Sequence, residues 1–143
     1  MVIDHIGVAV PRLEEGISLW TELFGYHQLT VPIVNTRQKV RVVFLDKEGS
    51  PTVKLIEPFD AASPAFRFAQ KGGGLHHLCF RCADLGATVE RMKRMGLRVL
   101  SEPEPGEAFG NERIAFVYVG QGLNIELIDT QNKAGLLETA GKD

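Results

Sequence analysis

The chain is poor in several things, and each shortage narrows its chemistry. Only two cysteines occur in 143 residues, Cys79 and Cys82. Both fall in one expected strand, three positions apart, so their side chains point to opposite faces of a sheet and do not pair readily. They read as reduced thiols, which suits a cytoplasmic protein. A Cys-x-x-Cys redox pair is the alternative, but that motif wants a helix N-terminus. No excess of positive charge exists: the net charge is -2, so no nucleic-acid footprint and no anionic-membrane partner is expected. Long hydrophobic runs are also missing. The longest are strand-length, so nothing is expected to span a bilayer. The N-terminus enters a strand directly, without the charged, apolar and small-residue order of a signal peptide.

What is present is ordinary globular material. Apolar residues make up 44% and charged residues 24%, and the length suits one domain with its own core. Residues 2–10 read as a strand ending at Pro11. Leu13, Ile17, Trp20, Leu23 and Phe24 then recur at helical spacing, and Gly25 sits where a C-terminal cap belongs. Trp20 and Phe24 are core candidates. Strand-like runs follow at 27–34, 39–45 and 52–57, with turn chemistry at Asp46 to Pro51. Residues 59–74 form a connector in which Ser63-Pro64 opens a short helix that ends before Gly72.

The order then restarts. A strand at 75–82 precedes a helix from Leu85 to Met95, capped by Asp84 and ended by Gly96. Strands are expected at 97–102, 112–119 and 123–129, with a loop at 103–111 between the first two. The chain is thus βαβββ twice, with modules at 2–58 and 75–130 in a single domain of residues 1–130. A polar tail fills 131–143, with one helical turn expected at Leu136-Leu137. The register follows by subtraction. His5 to His77 is 72, Leu13 to Leu85 is 72, and Lys54 to Glu126 is 72. Such a repeat implies a pseudo-twofold axis, because neither unit alone buries its apolar face. The fold class is α+β, a curved mixed sheet around a central pocket with the helices on its outer face.

Period two sorts the faces. Ile6, Val8 and Val10 face the first helix, and Leu78 and Phe80 face the second. His5, Lys54, His77 and Glu126 therefore converge on one concave surface. Two imidazoles and a carboxylate suit a divalent ion, with open positions left for a substrate. The plain alternative is that both histidines only close strand ends with hydrogen bonds. His76 points to the opposite face on this count and reads as structural, and His27 is expected on the surface. Arg81, Arg113 and Tyr118 are the candidates for contacting a small-molecule substrate, Arg81 foremost because it shares the face of His77. Arg41 is a weaker candidate for an anion.

The chain contains Asp4-His5-Ile6-Gly7-Val8-Ala9-Val10, Leu55-Ile56-Glu57-Pro58, Ser63-Pro64, Gly74-Leu75-His76-His77-Leu78, Arg113-Ile114-Ala115-Phe116 and Ile125-Glu126-Leu127. On these stretches residues 2–130 resemble the vicinal oxygen chelate superfamily, and within it the methylmalonyl-CoA epimerase and glyoxalase I branches. The resemblance implies a metal site on His5, His77 and Glu126, holding Zn, Co, Ni, Mn or Fe. It also implies a Lewis-acid reaction through an enolate, with Glu126 sharing ligand and base roles, and a homodimer. Two departures stand out. The family's second ligand position, a Gln or Glu, falls on Lys54, and a protonated lysine cannot ligate. Either its ammonium replaces the ion, or a three-ligand site survives with the lysine swung aside, or the lysine is neutral and acts as base or ligand. After Phe116, the His-Pro-Lys run of the epimerases is replaced by Val117-Tyr118-Val119-Gly120, which leaves recognition of CoA open. A non-haem iron dioxygenase, a metal-free binding protein and a transferase acting on a small antibiotic are the competing expectations.

Overall fold

A computed structural model describes residues 1–138. The first module comprises β1 (Val2–Ala9), α1 (Leu13–Glu22), β2 (His27–Gln28), β3 (Ile33–Asn35), β4 (Val40–Asp46) and β5 (Val53–Pro58). A short helix, α2 (Phe66–Gln70), occupies the connector. The second module comprises β6 (Gly74–Arg81), α3 (Leu85–Arg94), β7 (Arg98–Pro105), β8 (Arg113–Tyr118) and β9 (Asn124–Ile128), with a 3₁₀ turn at Glu107–Phe109. The expected second strand is broken in two around Pro32, which has no N–H to give a ladder. β7 runs on through Pro105, into the expected loop, pairing Glu104 with Ile114 and Pro105 with Arg113. It tolerates its prolines because it is the edge strand.

All nine strands form one mixed sheet, ordered β2-β4-β5-β1-β6-β9-β8-β7, with β3 also on β4. The two modules meet at the antiparallel pair β1 and β6. On either side of it lies a parallel partner, and the registers repeat: Gly7 faces Lys54, and Cys79 faces Glu126. Both differences from one pair to the other are 72 (7 to 79, 54 to 126). The same arithmetic governs the helix starts. The Leu13 N–H donates to Glu57 at 2.8 Å, and the Leu85 N–H donates to Asp129 at 2.9 Å. Each carboxylate lies at the C-terminal end of its module's last strand, Asp129 just past it, and satisfies an orphan N–H of that module's helix. Gly25 and Gly96, with φ of 74° and 81°, reverse the chain after the helices in the left-handed region.

Each helix packs on the convex face of its half-sheet. Leu13, Ile17 and Trp20 meet Val8, Leu45 and Leu55; Leu85, Val89 and Met92 meet Ala115, Val117 and Leu127. Burying Leu55 or Leu127 against a helix stabilises by about 2 kcal/mol each. A third apolar cluster, including Val40, Phe44, Ile56, Phe109 and Ile114, lines the concave face. After β9 the chain crosses back to the first module. Val31 N–H donates to the Gly135 carbonyl and Leu137 N–H to the Leu29 carbonyl. In place of the helical turn expected at Leu136-Leu137, Thr30 and Leu136 form a β-bridge. Both cysteines are free thiols, Cys79 buried on the concave side.

Candidate metal centre and substrate cavity

The four residues related by the repeat meet where the half-sheets join. His5, Lys54, His77 and Glu126 are all buried. Glu126 Oε1 lies 3.0 Å from the Nε2 atoms of both His5 and His77, and those two nitrogens are 3.4 Å apart. Separations of that size are expected of ligands that share an ion at about 2.0–2.2 Å. The protonation states also suit ligation. Burial pushes the His77 imidazole down to about 4, against the opposing pull of Glu126. Burial alone would raise Glu126, but the Lys54 charge and the two imidazole hydrogen bonds hold it well below the ordinary carboxylate range. At neutral pH the centre thus presents a neutral His77 ring and an ionised carboxylate. These three residues fit a divalent ion.

Lys54 is the discordant member. Its Nζ lies 3.3 and 3.4 Å from the two carboxylate oxygens of Glu126. The ammonium also sits 5.1 Å from the Phe109 ring centroid and 5.8 Å from that of Phe44, within cation–π reach. It stands at the position where the resemblance implies a fourth ligand, against the Glu126 carboxylate.

Local backbone geometry builds this cluster in a way that period two does not foretell. β1 and β6 are out of step at two places. His5 pairs with Cys79 and Ile3 with Phe80, so Asp4 has no partner; Gly7 pairs with His77 and Val8 with Leu75, so His76 has none. Each unpaired residue is a β-bulge, and a bulge re-aims its side chain. Asp4 accepts a 2.8 Å hydrogen bond from His5 Nδ1. His76 Nδ1 lies 2.8 Å from His77 Nδ1. Each histidine of the centre is therefore held at its far nitrogen by the residue before it, and Asp4 and His76 are again 72 apart. Such partners fix the tautomer and ring orientation of a ligating imidazole. Gly7 supplies space: a Cβ there would collide with the His77 imidazole.

Asp4 is sealed by charge. Arg81 reaches it at 2.9 Å and Lys133 at 3.4 Å. Burial would raise its pKa, but the hydrogen bond from His5 and the Lys133 charge outweigh that and lower it. Lys133 arrives on the segment that crosses back after β9, and its Nζ stands 5.1 Å from the Phe44 ring centroid.

A cavity of about 240 Å³ opens on the centre. Lys54, His76 and His77 form part of its wall, with Asn35, Gln38, Ser101 and Asn124 as further polar groups and Ile56, Ile114 and Phe116 as apolar ones. Glu126 lies behind this wall, with no exposed surface. The sequence-derived substrate candidates sit elsewhere. Arg81 is tied to Asp4, Arg113 is exposed, and the Tyr118 hydroxyl accepts from the Gly122 N–H on the surface. Arg41 pairs with Glu14 and Glu57. His76, read from the sequence as facing away, stands in the cavity wall because of its bulge.

Comparisons with known proteins show the family and the fold. The sequence profile of the Glyoxalase/Bleomycin resistance protein/Dioxygenase superfamily matches residues 4–116. The chain belongs to that superfamily. Among curated relatives, the uncharacterized protein YqjC of Bacillus subtilis (strain 168) is 34% identical over 133 residues, covering 89% of this chain and 91% of the relative. Among solved structures, methylmalonyl-CoA epimerase from Mycobacterium tuberculosis is 31% identical, with a TM-score of 0.78, over 89% of this chain and 86% of that one. A methylmalonyl-CoA epimerase in complex with methylmalonyl-CoA and NH4+ is 29% identical, with a TM-score of 0.76, over 92% and 96% of the two chains. The fold expected from the repeat, paired βαβββ modules enclosing a pocket, is the fold of this superfamily.

Proposed function

We propose that the chain is an epimerase-like enzyme of the superfamily that moves a proton at the carbon next to a carbonyl, on a small acyl-thioester substrate bound in the cavity. The observation that carries the reading is the convergence of His5, His77 and Glu126 beneath a cavity that opens to solvent. His5, His77 and Glu126 would hold a divalent ion. When bound, such an ion would supply Lewis-acid polarisation of the substrate carbonyl. Lys54 stands in the same wall and would set a positive charge beside the enolate oxygen, while the Glu126 carboxylate, whose Oε2 faces Lys54, would accept the α-proton. The apolar side of the cavity, Ile56, Ile114 and Phe116, excludes water from that charge and strengthens its stabilisation. Asp4, fixed by Arg81 and Lys133, keeps His5 oriented.

Pairing of Lys54 with Glu126 supports a second reading, in which the lysine ammonium is itself the resident cation. A related epimerase has been solved in complex with methylmalonyl-CoA and NH4+. One experiment separates the readings and tests both. The protein is incubated with methylmalonyl-CoA in deuterium oxide, with Co²⁺ or after exhaustive chelation, and deuterium at the α-carbon is followed by mass spectrometry. Exchange that depends on added ion supports the first reading, and exchange that survives chelation supports the second. No exchange under either condition, with Zn²⁺, Ni²⁺, Mn²⁺ and Fe²⁺ also tried, would sink the enolate reading. Oxygen uptake with Fe²⁺ would point instead to the dioxygenase chemistry known in the superfamily's name.

A further inference from the structure

The two bulges are related by the repeat but differ in what they face. Asp4 serves His5 alone: its side chain is 3% exposed and bound to Arg81 and Lys133. His76 occupies the same place in the second module, yet it lines the cavity. Its ring is braced edge-on by Phe68, with centroids 5.6 Å apart. Nδ1 is engaged by His77, while Nε2 makes no hydrogen bond among the described residues. That nitrogen is not sealed away either, since no buried side-chain nitrogen or oxygen of the described residues lacks a partner. His76 thus offers one free ring nitrogen to whatever fills the cavity.

The character of that nitrogen follows from proton counting. Across the 2.8 Å contact between the two Nδ1 atoms only one proton is held, because one nitrogen donates and the other accepts. Where His77 gives its Nε2 lone pair to a cation, its own proton sits on Nδ1 and is donated to His76. The His76 proton is then on Nε2, directed at the cavity. Where His77 instead donates from Nε2 to Glu126, the proton between the rings belongs to His76, and its Nε2 becomes an acceptor. In this count the state of the centre sets whether His76 Nε2 donates or accepts at the cavity wall.

We propose that His76 is a substrate-contacting residue, which presents an Nε2–H to an oxygen of the acyl substrate when His77 ligates a cation. This rests on the acyl-thioester reading of the cavity given above. His76 adds a neutral donor to the Lys54 charge, at a site whose wall contains no guanidinium. A thioester or enolate oxygen, with two lone pairs, accepts from both.

The test uses the full chain saturated with Zn²⁺. Isothermal titration with methylmalonyl-CoA is run on the wild type, His76→Phe and His76→Gln. His76→Phe keeps the ring and its contact with Phe68 but loses both nitrogens; His76→Gln restores an amide donor. We expect His76→Phe to bind at least 10-fold more weakly and His76→Gln to recover part of the loss, with zinc content at one per chain in both. Long-range ¹H–¹⁵N spectra of the zinc-loaded wild type should show His76 protonated at Nε2 and bare at Nδ1. Unchanged affinity in His76→Phe, or a His76 that is bare at Nε2 with zinc bound, overturns the proposal. A wild type that takes up zinc but binds no acyl-CoA removes the acyl-thioester reading and the substrate contact with it, whereas binding by the wild type and by His76→Phe alike removes the contact alone.

Discussion

Replacing Lys54 by glutamine should raise the metal affinity of this chain. The lysine ammonium lies 3.3 Å from a carboxylate oxygen of Glu126, whose other oxygen is 3.0 Å from both imidazoles. A divalent ion held by that carboxylate would stand near the ammonium. At about 4 Å and an effective dielectric of about 20, a +2 and a +1 charge repel by about 8 kcal/mol. The lysine avoids most of this by swinging into the cavity, which halves the Coulomb repulsion at about 8 Å and admits water. A residual cost of about 3 kcal/mol corresponds to roughly 100-fold in affinity. Lys54→Gln removes that cost and offers an amide oxygen as a fourth ligand, so Co²⁺ should bind at least 100-fold more tightly by competition titration. The apo variant carries an opposite signature. Removing the lysine leaves the Glu126 charge buried with only the two imidazoles beside it, and losing one partner of a buried pair costs about 3–5 kcal/mol. Apo Lys54→Gln should therefore melt roughly 6–15 °C below wild type, and saturating metal should restore it. Lys54→Met separates the two effects, since it removes the charge without adding a ligand. Equal Co²⁺ affinity in wild type, Lys54→Gln and Lys54→Met would refute the reasoning.

Three further outcomes are expected. Gly7→Ala should lower metal affinity at least 10-fold and destabilise by about 1–3 kcal/mol, because its Cβ collides with the His77 ring; an unchanged affinity by titration would show that the ring has room to move. Asp4→Asn should weaken metal binding about 10- to 100-fold through loss of the carboxylate that orients His5, while the far-ultraviolet circular dichroism stays the same. Stability should fall as the pH drops. The His77 pKa is depressed in the folded chain to about 4, from an ordinary value of 6.5, so the unfolded chain binds the extra proton between those values. Its contribution is present in full above pH 6.5 and is lost progressively toward pH 4, about 3 kcal/mol in all as an upper bound. Glu126, also depressed, continues the loss below the ordinary carboxylate range. Urea unfolding at pH 7, 5.5 and 4.5 checks the slope, and His77→Asn should flatten it above pH 5.

The repeat is what makes much of this site legible in the sequence. An offset of 72 residues between His5 and His77, and between Lys54 and Glu126, is an offset between equivalent sheet positions. Because strand side chains alternate strictly, equal spacings in both modules force these four onto one face. The same strictness explains the misses. A bulge inserts one residue and resets the alternation, so Asp4 and His76 are turned onto the face that counting by two assigns to their neighbours. The one hint was that a polar residue precedes the histidine in both modules. Nothing local marked Arg81 as a partner for Asp4, or Lys133 as one, since both contacts span more than 75 positions. Gly7 is legible only afterwards, once the His77 ring is seen above it. The extension of β7 through two prolines depends on its place at the sheet edge, which is a property of topology rather than of local composition.

The most direct test of the centre is the stoichiometry and ligand dependence of Co²⁺ binding, read from its visible absorption. One ion per chain is expected in the wild type and, more tightly, in Lys54→Gln, with the absorption lost in His5→Ala, His77→Ala and Glu126→Ala. Failure of both the wild type and Lys54→Gln to bind Co²⁺ at millimolar concentration, or binding that survives all three alanine substitutions, would contradict a metal centre built from His5, His77 and Glu126.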